Sequence, residues 1–189
     1  YLAAELDAIE LSVLDARGRL HALALALPPA YPLEPPVASV SLPGGAFQLA
    51  WRPNEEPSLR GAVTQFEAAL ASHQTAWDML DDLDANAWVL EPKKPTRNRI
   101  DRRIALGNHC SLQLDLHPTA AASLPNLQFL GAERSLAPLR RKLDANLDRW
   151  QLSRSLRHNL QDVLEMELPS AKAASSADAD AYSVACAIC

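Results

Sequence analysis

The chain ends on two cysteines whose spacing is typical of half a zinc site. Cys186 and Cys189 are separated by two residues, and pairs at this spacing supply two of the four ligands of a structural zinc. One other cysteine, Cys110, lies far upstream. We therefore expect the remaining ligands beyond residue 189, in a zinc domain that begins at residue 186. The part of the chain before this pair is expected to bind no metal and no cofactor.

No other group of residues predicts covalent chemistry. The sequence contains no glycine-rich phosphate loop, no paired histidines at zinc-protease spacing and no Gly-x-Ser-x-Gly turn, so it predicts no catalytic residue. His109 and Cys110 are adjacent, and a Cys–His pair could form a reactive thiolate. Neighbouring residues of a strand point to opposite faces, however, which favours a buried structural role for Cys110.

Composition and charge indicate a globular chain with two halves of opposite sign. Of its 189 residues 48% are hydrophobic, which suffices for one large core or two small ones, and no apolar run is long enough to span a bilayer. Residues 1–92 carry 13 acidic and 4 basic side chains, net -9, whereas residues 93–189 carry 10 and 14, net +4. The low cysteine content favours a reducing compartment, the cytoplasm or the nucleus.

The order of elements predicts an α+β fold of two related lobes. Residues 1–15 favour a helix that passes into a strand, further strands follow at 20–27, 37–42 and 47–51, and a helix capped by Ser58 runs from there to Leu83. A strand pair at 104–116, a strand at 127–131 and helices at 138–150 and 153–167 repeat this order. Each lobe should be an antiparallel sheet packed by helices.

The proline-rich stretch 91–95, where the charge changes sign, predicts the boundary between the lobes. The predicted first lobe is 1–92 and the second is 93–170. A linker rich in alanine, serine and aspartate follows at 171–185, and the zinc domain starts at 186–189.

Six basic residues and one acidic residue lie between positions 93 and 103. They could contact phosphates or an acidic partner, but no aromatic residues are interleaved with them. A solvated linker, partly neutralised by the acidic residues 78–84 at the end of the long helix, is the favoured interpretation. Direct nucleic-acid binding is therefore not expected.

The Tyr31-Pro32-x-x-x-Pro36 sequence is either a ligand in polyproline conformation or a rigid turn whose tyrosine ring packs against the sheet. Placed between a hairpin and a strand, it resembles the RWD domain family, which is related to the ubiquitin-conjugating fold. The His-Pro-Asn triplet and the following nucleophilic cysteine of conjugating enzymes are absent from this sequence. The resemblance thus implies a binding module without that catalysis.

Five segments taken together resemble the Fanconi anaemia group L family of RING ubiquitin ligases. They are Trp88–Pro95, Arg102–Asn108, Phe129–Ala132, Asn159–Glu165 and Cys186–Cys189. The resemblance implies two tandem RWD lobes followed by a zinc-binding RING, of which Cys186 and Cys189 are the first metal ligands. Without a complete RING, this chain alone is expected to be inactive.

The same resemblance implies the partners and the location. The double-RWD region would recruit the substrate heterodimer that receives monoubiquitin during interstrand crosslink repair, and the RING would bind a ubiquitin-conjugating enzyme without a covalent ligase intermediate. Other Fanconi core complex subunits are further expected partners, in the nucleus and cytoplasm. A non-catalytic scaffold that holds a multi-protein complex together is the alternative function.

Four apolar residues match the substrate-facing patch attributed to the family: Trp88, Leu90, Leu124 and Leu130. Trp88 and Leu90 are two residues apart and so share one face of an extended segment. Gln128 and Arg141 stand where apolar residues are expected, which makes the patch smaller or more polar. Alternatively, Trp88 and Leu90 seal the core between the lobes.

Overall fold

The computed structural model describes residues 7–45, 47–52 and 58–172. Its contacts divide the chain into two compact units, residues 1–74 and residues 75–189. Both units place an antiparallel sheet before helices, which confirms the predicted α+β class. In the described part of the chain, no helix is both long enough and apolar enough to cross a membrane.

Unit 1 contains a three-stranded meander, in the order β1-β2-β3. Its strands are Ala8–Leu14, Leu20–Ala26 and Val37–Val40. The alternation of leucine and alanine in β2 decides which face is buried, because Leu23 and Leu25 are almost fully buried while Ala22, Ala24 and Ala26 are not.

The β1–β2 hairpin turn is held by the Asp15 carboxylate. Its oxygens accept hydrogen bonds from the backbone N–H groups of Arg17 (2.8 Å) and Arg19 (3.0 Å), and from the Arg19 Nε (2.6 Å). The Gln74 Nε2 donates to it as well, at 3.1 Å. Burial of this carboxyl would raise its pKa, but the hydrogen bonds from Arg19, Gln74 and Arg17 outweigh it and hold the pKa of Asp15 far below its usual value.

Helix α1, Leu59–Asn86, contributes residues to both units. The Ser58 Oγ accepts a hydrogen bond from the Gly61 N–H at 3.1 Å, so the predicted N-cap is confirmed. In unit 1 the helix buries Phe66 and Leu70, and the Phe47 ring meets the Phe66 ring edge-on at 5.7 Å.

Unit 2 contains a four-stranded meander, in the order β4-β5-β6-β7. Its strands are Val89–Glu91, Asp101–Gly107, Cys110–Asp115 and Asn126–Leu130. The two residues between β5 and β6, Asn108 and His109, both have positive φ, as the tightest hairpin turns require. This turn lies inside the strand pair predicted at 104–116.

Two helices complete unit 2: α2, Glu133–Asn146, followed by a 3-10 turn at Leu147–Arg149, and α3, Leu156–Leu164. One face of the sheet packs with these helices and with the second half of α1 into a single core. The largest fully buried members are Leu80, Leu83, Ile104, Leu112, Leu114, Leu156 and Leu160.

The division between the units falls at 74/75 and not near residue 92. Ala76, Leu80 and Leu83 pack into the core of unit 2, and β4 pairs with β5 of the same sheet. The boundary between the units lies inside the continuous helix α1. The change of charge and the cluster of prolines near residue 92 therefore do not mark it.

Three predicted elements differ from the structure. Residues 47–51 form no strand; the Gln65 side chain instead bonds both the N–H and the C=O of Ala50, at 2.8 and 2.9 Å. Helix α2 begins five residues before Pro138, which lies inside it. Helix α3 is shorter than predicted, because Ser155 caps its start and Glu165 ends it in a left-handed conformation.

Candidate protein-binding face

The short strand β4 presents its residues to two opposite faces of the unit 2 sheet. Val89 pairs with Ile104 and packs against the core. Trp88, the residue before β4, lies on the opposite side from Val89, and Leu90 lies at the register shift between Val89 and Glu91, where the alternation of side chains is interrupted. Both are half-buried, and neither belongs to the core cluster of unit 2.

Leu130 lies on this outer face too. The Ala105 N–H donates to the Trp88 carbonyl at 2.9 Å, which sets Trp88 opposite Ala105. Ala105 pairs with Ser111, and Ser111 pairs with Leu130. Residues directly opposite in antiparallel strands share a face, so this row crosses the sheet from Trp88 to Leu130.

Leu124 is the most exposed of the four predicted contact residues, at 43%. It lies in the loop before β7, one residue before the buried Pro125. The structure thus brings Trp88 and Leu130 to one sheet face, with Leu124 on the loop before β7 and Leu90 at the register shift in β4.

A polar row lies beside the apolar one. Arg103 pairs with Gln113, and Gln113 pairs with Gln128, on the same outer face as Leu130. Arg103 donates to Glu91 at 3.0 Å and to the Ser111 Oγ at 3.1 Å. The sequence alone did not predict Arg103 or Gln113 as members of this face, because their place depends on strand register.

The two positions where polar residues replace expected apolar ones are both exposed. Gln128 is part of this polar row, and Arg141 lies on helix α2. The face is therefore more polar than four apolar residues alone would suggest.

The basic segment is largely neutralised within unit 2. Arg97 pairs with Asp81 at 2.6 Å, and Arg102 bonds both oxygens of Asp84 at 2.7 and 2.9 Å. Arg99 forms an ion pair with Asp101, whose pKa is lowered mainly by the hydrogen bond from that guanidinium. The predicted role of the acidic helix end as a neutralising partner is confirmed.

The prediction of a solvated linker is wrong for the end of this segment. Arg102 and Arg103 belong to β5, and Arg102 is only 2% exposed. Its fixed partners, Asp84 and two backbone carbonyls, explain how a guanidinium can be buried there.

The other residues singled out from the sequence are structural. Cys110 is buried at 1% exposure, as expected. The Tyr31 ring lies 5.7 Å from the Trp51 ring, whose Nε1 donates to the Pro32 carbonyl at 3.0 Å, so the Tyr-Pro sequence forms a turn packed on an aromatic side chain.

The predicted metal ligands Cys186 and Cys189 lie outside the described residues, as do the first six residues and most of the linker. Among the residues that the structure describes, no group of three or more histidine, cysteine, aspartate or glutamate side chains could hold a metal ion.

Two antiparallel meanders, the first followed by α1 and the second by α2 and α3, are the arrangement of tandem ubiquitin-conjugating-like (UBC-like) domains. Family models agree with this class. Residues 1–73 match the FANCL UBC-like domain 2, and residues 75–171 match the FANCL UBC-like domain 3.

Individual relatives point to the same family. The mouse E3 ubiquitin-protein ligase FANCL is 38% identical over 181 residues, which cover 96% of this chain and 47% of the relative. A solved structure described as the crystal structure of FANCL matches with a TM-score of 0.68 at 20% identity, over 88% of this chain and 47% of that one. The chain belongs to the FANCL family of E3 ubiquitin ligases, and it spans about half the length of these relatives.

Proposed function

We propose that this chain is the substrate-binding region of a RING-type E3 ubiquitin ligase that monoubiquitinates the Fanconi substrate heterodimer in interstrand crosslink repair. The observation that carries the proposal is that Trp88 and Leu130, at the two ends of one row, are half-buried apolar side chains on the face of the unit 2 sheet away from its core. Apolar residues that a core does not use are typical of protein-binding sites.

We also propose that a RING starting at Cys186 binds zinc and a ubiquitin-conjugating enzyme. Thiolates of Cys186 and Cys189 are half of a tetrahedral donor set, and a complete RING would use the metal to stabilise its fold. A chain extended past residue 189 should bind zinc, and Cys186→Ser should weaken that binding, as measured by metal analysis after dialysis. We propose the nucleus and cytoplasm as its location.

The experiment uses the substitution Trp88→Ala combined with Leu90→Ala. Capture of the purified substrate heterodimer should weaken by at least about 30-fold, since central aromatic contacts contribute about 2 kcal/mol or more each. The melting temperature should change little, because neither side chain is in the core of unit 2.

Val89→Ala is the matched control, because Val89 lies between the two residues and packs on the core. It should lower stability by about 1 kcal/mol and leave the affinity unchanged. Substrate binding by the double variant with wild-type affinity would reject the proposal. Loss of complex assembly with retained substrate binding would instead favour the scaffold function.

A further inference from the structure

The backbone of the unit 2 sheet leaves one edge open. The Ala105 N–H donates to the carbonyl of Trp88, the residue before β4, so the backbone polar groups of Ala105 point toward β4. These groups alternate in direction along an antiparallel strand. Those of Ile104 therefore point toward β6, where they meet the groups of its partner Leu112.

The same alternation continues into β7. Because the groups of Leu112 point toward β5, those of its neighbour Gln113 point toward β7 and bond with Gln128. The backbone N–H and C=O of Leu127 and Phe129 then point away from β6. No other described residue forms a hydrogen bond with these groups.

The two edges of this sheet differ. The β4 edge has three residues, a register shift between Val89 and Glu91, and a charged side chain. The β7 edge has five residues, Asn126–Leu130, in unbroken register, and none of them is charged or proline. Bulges, charges and prolines are the usual devices that prevent strand addition at an edge, and β7 has none of them.

We propose that β7 receives an extended segment of the bound substrate protein as a fifth strand of the sheet. Leu127 and Phe129 would supply the backbone donors and acceptors. This inference rests on the proposed function and specifies the form of the partner.

The side chains that flank β7 define the chemistry of that segment. On the outer face, Leu130 and Gln128 alternate, so the added strand would present an apolar residue beside the leucine and a hydrogen-bonding residue beside the glutamine. On the inner face, Leu127 and Phe129 are half-buried against the core, which favours apolar residues there. The expected segment is about five residues long, extended and uncharged.

Hydrogen exchange at single amides tests the proposal. The chain is exchanged with and without the purified substrate heterodimer, quenched, and read by NMR. Binding should slow exchange of the Leu127 and Phe129 N–H groups by at least about 100-fold, because each gains a backbone acceptor. The N–H groups of Gln128 and Leu130, which already face β6, should change by less than about twofold.

A backbone substitution gives a second measure. Replacing Phe129 with its α-hydroxy analogue converts one amide to an ester, which removes the outward N–H of Phe129 and weakens the Gln128 carbonyl that faces β6. Substrate binding should weaken about fivefold. The same replacement at Gln128 removes an N–H that faces β6 and weakens the outward Leu127 carbonyl, but it keeps both outward N–H groups. It should lower stability and weaken substrate binding less than the Phe129 ester does.

The outcomes separate the two proposals. Binding of the heterodimer with both outward amides unprotected would overturn strand addition alone and indicate a partner that docks on the face of the sheet. Absence of binding would overturn the proposed function and strand addition together.

Discussion

The buried guanidinium of Arg102 depends on one carboxylate. Asp84 accepts two hydrogen bonds from it, and the backbone carbonyls of Arg99 and Asp101 accept others. An ion of this kind contributes little net stability while its partners are present, but it is costly once a partner is removed. The importance of Asp84 therefore comes from burial and not from the number of charges near it.

Asp84→Ala should destabilise the fold by about 3 kcal/mol, because the guanidinium stays buried without a counter-charge. Asp81→Ala is the matched control: it removes the partner of Arg97 in a pair whose side chains are both more than 40% exposed, and it should cost less than about 1 kcal/mol. Urea denaturation measures both. Equal costs for the two variants would contradict this account.

The carboxylate of Asp15 makes stability dependent on acid pH. Its folded-state pKa lies below its unfolded value of about 4, so its contribution is present above pH 4 and is lost as the pH falls further. Asp15→Asn should lower stability by about 2 kcal/mol at pH 7 and reduce the loss between pH 5 and pH 2.

Denaturation curves at several pH values, with the exposed Asp7→Asn as control, measure this effect. Parallel pH profiles for the Asp15 variant and the wild type would show that the hairpin carboxylate has no special role.

Individual strands and helices could be predicted from the sequence where neighbouring residues determine them. The strand at 20–27, the Ser58 cap and the strand pair at 104–116 are each specified by neighbouring residues, and all three are confirmed. The absence of a strand at 47–51 was not predictable, because Gln65 is distant in sequence and bonds the backbone that a strand would pair.

For the candidate protein-binding face, too, local sequence signals predict only part of the arrangement. The spacing of Trp88 and Leu90 predicted that they share a face, but the register shift between Val89 and Glu91 interrupts the alternation on which that prediction rests. Arg103, Gln113 and Gln128 lie side by side on this face because of the pairing register of three strands. The spacing of residues within one segment does not reveal that register.

Helix α1 can be strengthened at its first turn. In Gly61→Ala the new Cβ would meet the Ser58 Oγ at 3.4 Å, an ordinary contact that leaves the cap in place. The variant should be more stable by about 0.5 kcal/mol, because the unfolded chain loses conformational freedom. Thermal denaturation measures the gain.

Gly107→Ala is the contrasting substitution, since Gly107 has a φ of +82. It should cost about 1 kcal/mol despite the open space around it. A loss of stability in the Gly61 variant, or a gain in the Gly107 variant, would contradict these assignments.

At the scale of the whole molecule, charge argues against a nucleic-acid partner. The net charge is -5, and the guanidinium groups of Arg97, Arg99, Arg102 and Arg103 are each paired with a carboxylate. We therefore expect no binding to duplex DNA at physiological salt up to about 100 μM chain. Fluorescence anisotropy measures this, and binding that weakens steeply with added salt would contradict it.

The Asp84–Arg102 pair also bears on how unit 2 assembles. It joins residues 18 apart in sequence, and the neighbouring β5–β6 hairpin closes over two residues. Such short loops cost little entropy to close, so these contacts should form before the more distant ones with α3. Pulse-labelled refolding should protect the amides of Ile104 and Leu112 ahead of those of Leu160. The residue that neutralises the buried arginine would then also help to start the folding of the sheet.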